Sequence, residues 1–211
     1  MKKPVTLYIL LLALSIGVLF LLNLFLGSVD IPFRSIWNIL WGMDEGESVI
    51  WQNIIWKSRV PQALTAMVAG AGLAVSGLQM QTVFRNPLAG PSVLGISSGA
   101  SLGVAFVVLL SGSIGGIALS RLGFMGEIAL TMAAIIGALS IMALIVYVSQ
   151  KVHGNVTLLI IGVMIGYVAN AVIGVLKFFS VEEDIRAYVI WGLGSFARVS
   201  GNQMMVFVCI M

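Results

Sequence analysis

The sequence predicts an all-α protein, a polytopic transmembrane helix bundle with five complete helices and the start of a sixth. Of its 211 residues, 60% are hydrophobic and only 9% are charged, whereas soluble domains carry about 25% charged residues. The apolar residues fall into runs of about 20, the length that crosses the hydrocarbon core of a bilayer as a helix. Residues 1–211 are therefore predicted to form a single transmembrane domain.

The composition excludes several kinds of site. A net charge of only +3, thinly spread, gives little support to nucleic-acid binding. One cysteine, Cys209, and one histidine, His153, supply neither a disulfide framework nor a metal-ligand cluster. No G-x-x-x-x-G-K-[ST] phosphate loop is present, so the chain is not expected to bind ATP itself. We expect no metal and no cofactor.

The first helix is predicted over Val5–Leu26. Lys2 and Lys3 precede it, as in a signal peptide, but the uncharged run Pro4–Val29 exceeds the ~7–15 apolar residues of a signal sequence. We therefore interpret this run as a retained membrane helix, which ends before Pro32.

Residues 33–58 are too polar to span and predict two short amphipathic helices around an acidic turn at 44–47. Indole rings favour the headgroup level of a membrane, so a tryptophan-rich segment is predicted to lie along one surface. A loop packed on the protein's own surface is the alternative. The segment holds four tryptophans: Trp37, Trp41, Trp51 and Trp56. The predicted apolar faces are Ile36, Trp37, Leu40 and Trp41, then Ile50, Trp51, Ile54 and Ile55.

A second helix is predicted over Pro61–Phe84, because proline fits a first helical turn. Small residues, including Gly70 and Gly77, let helix backbones approach closely in lipid, so this helix is expected to be central. Gln79 and Gln81 are polar groups near its end and are expected to face protein or a water-filled path.

Two prolines, Pro87 and Pro91, then predict a tight corner that breaks any continuous helix. After the corner, further membrane helices are predicted over residues 92–110, 127–148 and 156–176.

Near the end of the chain, Ser180 with Glu183 forms a capping-box pattern, which predicts a short helix from Val181. The last stretch, 203–211, is too short to span, so we expect the chain to stop inside a sixth helix and to lack its C-terminal side.

Two functions can be tested against these residues before any resemblance is considered. Gly95–Gly99 matches the G-x-S-x-G pattern of hydrolases, but that motif needs a preceding strand, an acid and a histidine. Close helix packing is the alternative, and only labelling of Ser97 or Ser98 by a serine-reactive phosphonate would favour an intramembrane hydrolase. No ionisable residue lies deep in a predicted span, which argues against a proton-driven secondary carrier.

One stretch, Arg59 to Ala100, resembles the FecCD-type permeases, the membrane subunits of bacterial ABC importers for iron–siderophore complexes, haem and cobalamin. The resemblance lies in Arg59–Gln62, Ala66–Gly70, Leu73–Gly77, Gln81, Arg85–Pro91, Leu94–Gly95 and Gly99–Ala100. Leu158–Gly162 and Trp191–Ser195 are similar to two later elements of the family.

The resemblance implies specific roles. Asn86 and Leu88 would help to close the cytoplasmic end of the pathway, with Asn155 and Val156 as a second barrier of less weight, since relatives often carry small hydroxyl residues there. Arg59 would meet an acidic residue of an external binding protein, helped by Lys57, because the second arginine of the family motif is Gln62 here. The residues expected to line or pack the pathway are Gly70, Gly77, Gln79, Gln81, Pro87, Pro91, Ser97 and Ser98.

The resemblance also implies an assembly. The N-terminus and the corner would lie in the cytoplasm, in the bacterial inner membrane. The partners would be a second permease copy, two ATP-binding subunits, an extracytoplasmic substrate-binding protein and membrane lipid, with ATP hydrolysed by the partners rather than by this chain. An iron complex, ferric siderophore or haem, is the expected solute, with cobalamin as the alternative.

Overall fold

The computed structural model describes residues 5–43, 46, 48–115, 124–152, 154–196, 199 and 204. Within these residues all regular structure is helical. The helices, in chain order, are α1 (Val5–Phe25), α2 (Phe33–Leu40), α3 (Val49–Ile54), a π-helical turn (Ile55–Arg59), α4 (Val60–Phe84), α5 (Ile96–Gly115), α6 (Phe124–Ser149), α7 (Asn155–Phe179) and α8 (Glu182–Gly192).

The predicted polytopic helical fold is confirmed. Four helical stretches of the described chain are long and apolar enough to cross a membrane: α1, α3 continued into α4, α6 and α7. The apolar part of α5, Ile96–Leu110, is shorter. The predicted sixth helix lies outside the described residues, apart from Met204, as do Cys209, His153 and most of the acidic turn.

The second membrane helix starts earlier than predicted. Helix α3 passes through the π-helical turn into α4 without a break, so Pro61 lies inside a helix rather than at its start. The turn shifts the hydrogen-bond register, since the Val60 amide donates to the carbonyl of Ile55. A local register shift accommodates a residue that has no N–H to donate.

The chain divides into two compact units, the first formed by residues up to Gly72 together with those from Ser195. In this unit a buried cluster joins the loop after α1, helix α2 and the π-helical turn. Its members are Ile31, Ile36, Ile39 and Ile55. The predicted face of α2 was wrong, because Ile36 is buried while Trp37 and Trp41 are exposed. The face predicted for the second short helix also splits, with Ile55 buried and Ile50 exposed.

The second unit, Leu73–Gly194, is organised around α5. Glycines let α5 lie directly against the backbone of α6. A Cβ on Gly103 would collide with the carbonyl oxygen of Ala133, and a Cβ on Gly137 would collide with the carbonyl oxygen of Gly99. At the start of α5, a Cβ on Gly95 would lie 2.8 Å from the carbonyl oxygen of Gly162 in α7.

The start of α5 and the segment before α8 both differ from their predicted form. Helix α5 begins at Ile96 rather than Ser92, because Pro91–Leu94 form a turn and Gly95 takes a positive φ of 74°. The short helix predicted from Val181 is present as α8, with Val181 as its N-cap residue, but the predicted capping box is wrong because no side-chain hydrogen bond caps the helix. The Ser180 hydroxyl instead donates to the carbonyls of Leu109, at 3.1 Å, and Leu176, at 2.6 Å, which fixes the link between α7 and α8 against α5.

The glycine contacts give a direct test. We expect Gly103→Ala in the full-length protein to lower stability by about 1–3 kcal/mol, because the methyl group forces α5 away from the α6 backbone. Gly174→Ala in α7 is the matched control, since its Cβ would meet nothing within 4 Å. It should match the wild type or exceed it slightly through helix propensity. Thermal unfolding in detergent measures both, and equal melting temperatures for the two variants would contradict the packing argument.

Candidate functional site

The corner between α4 and α5 is a built turn rather than a loose loop. Arg85, directly after α4, has a left-handed conformation with φ of 48°, which few non-glycine residues adopt. The side-chain oxygen of Asn86 accepts a hydrogen bond from the Leu88 amide at 2.9 Å. The carbonyl of Asn86 accepts another from the Ala89 amide at 3.1 Å. The asparagine therefore holds the turn from both its side chain and its backbone.

This turn places two neighbouring side chains in opposite environments. Ala89 is 2% exposed and belongs to a buried cluster with residues of α4, α6 and α7, whereas Leu88 is 86% exposed. The other members of that cluster are Phe84, Leu94, Ile145 and Leu159. The corner is thus anchored by Ala89 and leaves Leu88 as an exposed apolar side chain.

The start of α7 lies against the same corner. The side-chain amide of Asn155 donates to the carbonyl of Val83, in the last turn of α4, at 2.8 Å. The residues are 72 positions apart in the sequence, so this bond joins two distant segments that the resemblance assigns to one barrier. Val156, beside it, is exposed. The structure therefore brings Asn155 next to the corner, while the barrier role of all four residues stays a prediction.

The predicted pathway residues are distributed along α4, the corner and α5. The expectation that α4 is central is wrong for the described residues, because few of its side chains are buried. Gln79 and Gln81 are exposed on α4, and Gly70 has open space around it. Gly77 packs toward the corner, since its Cβ would lie 4.0 Å from the Cδ of Pro91.

The G-x-S-x-G segment fits the packing alternative. A turn precedes it instead of a strand, and Gly95 contacts the α7 backbone directly. Ser97 is exposed and Ser98 is half-buried near Gly166. A nucleophile elbow needs a strand before the serine, so the described geometry does not support a hydrolase.

Arg59 occupies a position that the sequence did not reveal. Its guanidinium donates from Nη1 to the carbonyls of Leu24, at 2.6 Å, and Phe25, at 3.3 Å, and from Nη2 to the carbonyl of Val29. The last carbonyls of a helix have no intrahelical donors, and a cation is favourable there. Arg59 thus caps the C-terminal end of α1 from the π-helical turn.

This geometry changes the expectation for docking. Arg59 was expected to meet an acidic residue of a binding protein, which needs an accessible guanidinium, but the residue is only 5% exposed. Lys57 is exposed, so it is the freer cation of the pair. A Cβ on Gly27 would lie 2.6 Å from Nη2 of Arg59, so the absence of a side chain at this position leaves room for the guanidinium as it is placed.

A second polar contact that the sequence did not predict joins the end of α7 to α8. The Lys177 ammonium lies 4.8 Å from the ring centroid of Tyr188. Burial raises the pKa of Tyr188, opposed by a hydrogen bond with Ser101 of α5. Asp184, also buried, has one carboxylate oxygen without a hydrogen-bond partner among the described residues.

The cap on α1 is testable without any partner protein. We expect Arg59→Met to reduce the stability of the purified full-length protein by about 1.5–3 kcal/mol, because bonds from a charged donor are lost and carbonyls stay buried. Lys57→Met removes a cation of similar length from an exposed position and should leave the melting temperature within experimental error. Identical melting curves for both variants would show that Arg59 does not hold the end of α1.

Comparison with known proteins bears on what this arrangement does. The chain is 35% identical over 182 residues to the hemin transport system permease protein HmuU of Yersinia pestis, covering 86% of this chain and 51% of that protein. It is 34% identical over 205 residues to the vitamin B12 import system permease protein BtuC of Serratia proteamaculans, covering 97% and 55%. The chain thus spans about half the length of the relatives it matches.

A solved structure shares the fold. It shows an inward-facing conformation of a metal-chelate type ABC transporter, and it aligns with a TM-score of 0.70 and 27% identity over 96% of this chain and 57% of that one. The family model of the FecCD transport family matches residues 12–211. The chain, with its asparagine-held corner between α4 and α5, belongs to the FecCD transport family.

Proposed function

We propose that this chain forms part of the membrane-spanning permease subunit of a bacterial ABC importer for an iron complex, either a ferric siderophore or haem. The single observation that carries the proposal is the corner, a rigid turn in a FecCD chain that presents an exposed Leu88. A relative named as a hemin permease and a structural neighbour described as a metal-chelate transporter support the solute class.

Cobalamin is the second candidate solute. Several relatives are vitamin B12 import permeases, with 34% identity in the match that covers 97% of this chain. Ferric siderophores, haem and cobalamin are all bulky metal chelates, so one pathway architecture serves each of them. The alternatives differ in the side chains that contact the solute.

The proposed partners follow from the ABC mechanism. A second permease copy, two ATP-binding subunits and an extracytoplasmic binding protein would complete the transporter in the inner membrane. Catalysis of ATP hydrolysis would belong to the ATP-binding subunits. This chain would supply the path and its barriers, and Leu88 would meet its counterpart from the second copy when the cytoplasmic end is closed.

The side chain of Asn155 would connect α7 to the corner. Since its amide holds the last turn of α4 at 2.8 Å, a movement of α7 would be passed to the corner. Asn86, by contrast, uses its side chain within the turn and would fix the direction of Leu88. We therefore assign Leu88 the contact, Asn86 the shape of the turn and Asn155 the coupling, with Val156 an exposed neighbour.

Docking of the binding protein would use cations at the start of α4. Lys57 is exposed and can pair with a partner carboxylate, which makes it the stronger docking candidate. Arg59 would take part only if its guanidinium left the carbonyls at the end of α1. Lys57→Glu should weaken association more than Arg59→Lys, which keeps the charge.

Reconstitution tests the transport function directly. Vesicles holding the full-length protein with its ATP-binding subunits and binding protein should accumulate labelled haem or ferric siderophore when ATP is supplied on the side of the ATP-binding subunits. Accumulation should survive collapse of the proton gradient. Uptake that follows the gradient and ignores ATP would replace this proposal with a secondary carrier, and ATP-dependent uptake of cobalamin alone would select the second solute.

The barrier role of the corner has its own test. In the full-length dimer, Leu88→Cys should form a disulfide between copies in the closed state and lose it when the ATP-binding subunits bind nucleotide. Leu88→Ala should raise basal ATP hydrolysis or leak solute at normal expression. Non-reducing electrophoresis with and without nucleotide measures the crosslink.

Two further variants serve as the control for that test and as a probe of the coupling by Asn155. Ser149→Cys, exposed at the end of α6, should show no nucleotide-dependent crosslink. Asn155→Asp removes the donor to Val83, yet a carboxylate suits the first residue of α7, so the helix itself is preserved. In the Leu88→Cys background it should weaken the dependence on nucleotide. A silent Leu88→Ala with no crosslink in either state would reduce the corner to a structural turn.

A further inference from the structure

Four aromatic rings form a continuous row in the first unit, here called the aromatic ladder: Phe25, Phe33, Trp37 and Trp41. The ring centroids of Phe25 and Phe33 are 4.8 Å apart and stacked. The next pairs follow at 6.4 Å and 5.8 Å. From Phe33 onward the members repeat every four residues, which places them on one face of α2 and its C-terminal end.

The ladder is the outward face of a helix whose other face is already packed. Ser35, Ile36 and Ile39 are buried against the first unit. Phe33 is 64% exposed, Trp37 48% and Trp41 64%. Aromatic rings exposed in contiguous rows mark contact surfaces, because an isolated soluble surface leaves few such patches uncovered. Among the described residues, these three side chains are therefore not packed on the chain's own surface, although the opposite face of α2 is.

The position of the ladder identifies what covers it. Phe25 is the last residue of α1, and the large apolar side chains of α1 before its final turns are exposed along the helix. An uncharged helix that shows apolar side chains on every side lies in hydrocarbon. The ladder starts where that helix ends, so it continues the lipid-facing surface beyond the hydrocarbon core.

We propose that the aromatic ladder is a lipid-contact surface that lies in the headgroup layer of the membrane. Indole rings are enriched at this depth, where the ring is shielded from bulk water and the N–H still finds a polar partner. Arg34, exposed and next to Phe33, adds a cation that lipid phosphates attract.

This contact sets the depth of α1. Aromatic and basic anchors determine how a membrane helix tilts and rotates, beyond what its hydrophobic length fixes. Because the stacked rings connect Phe25 to Phe33, α2 and the end of α1 are anchored together. The ladder is thus a positioning surface for the first membrane helix, independent of which solute the protein carries.

Depth-dependent fluorescence quenching tests this proposal. The full-length protein, with Trp37 as its only tryptophan and phenylalanine in place of the others, is reconstituted in phosphatidylcholine–phosphatidylglycerol vesicles. Nitroxides are placed on the headgroup or on carbon 12 of the acyl chain. We expect headgroup nitroxides to quench Trp37 at least about twofold more than chain nitroxides, with weak quenching by aqueous iodide.

A second protein with Trp41 alone repeats the measurement and guards against a folding defect in the first, since the Trp37→Phe substitution keeps a ring in the stack. A protein with Trp51 alone is the control, because this ring is half-buried against the cluster of the first unit. It should respond weakly to every quencher. Strong quenching of Trp37 and Trp41 by iodide alone would show a water-facing or partner-facing surface and overturn the proposal. Maximal quenching from carbon 12, or none from any quencher, would overturn it equally.

Discussion

Direct contact between the backbone of α5 and those of α6 and α7 is the constraint on which the second unit depends. Lipid removes most of the hydrophobic drive between membrane helices, so association relies on close van der Waals packing. Gly99, Gly103 and Gly137 provide that approach between α5 and α6. Gly95 and Gly162 provide it between the start of α5 and α7. Without these glycines the helices would stand further apart.

The geometry of the corner depends on this packing of α5. Helix α5 starts directly after Gly95, whose positive φ turns the chain out of the corner and onto α7. Ala89 and Leu94 are then buried with Phe84 at the end of α4. Leu88 has no place in that cluster and points outward. A turn that leaves one apolar side chain exposed offers a surface for the proposed contact between two copies, which links helix packing to the proposed barrier.

Much of the fold was predictable because membrane helices are encoded by length and polarity. The predicted first helix, Val5–Leu26, ends within one residue of α1. The error at Pro61 arose because a proline signals a helix start, whereas the π-helical turn accommodates it inside a helix. The faces of α2 were misassigned because tryptophan and isoleucine are both apolar. Only the packing of α2 against the loop after α1 and the π-helical turn decides which of them is buried.

The candidate site was predictable in part. Prolines and Asn86 indicated a corner, and the structure supplies the hydrogen bonds that make it rigid. The bond from Asn155 to Val83 joins segments far apart in the sequence, which spacing alone does not relate. The buried position of Arg59 depends on where α1 ends in space, which the sequence motif around Arg59 does not encode. The motif therefore led to a docking role, whereas in the structure the guanidinium caps the end of α1.

The central claim is that the corner presents Leu88 to a second copy of the protein at a barrier that ATP opens. Cryo-electron microscopy of the full-length protein with its ATP-binding subunits, in the presence and absence of nucleotide, tests it most directly. The account predicts Leu88 side chains of the two copies in van der Waals contact in the closed state and separated in the open state, with Ala89 buried in both. Leu88 facing lipid or its own chain in both states would contradict it.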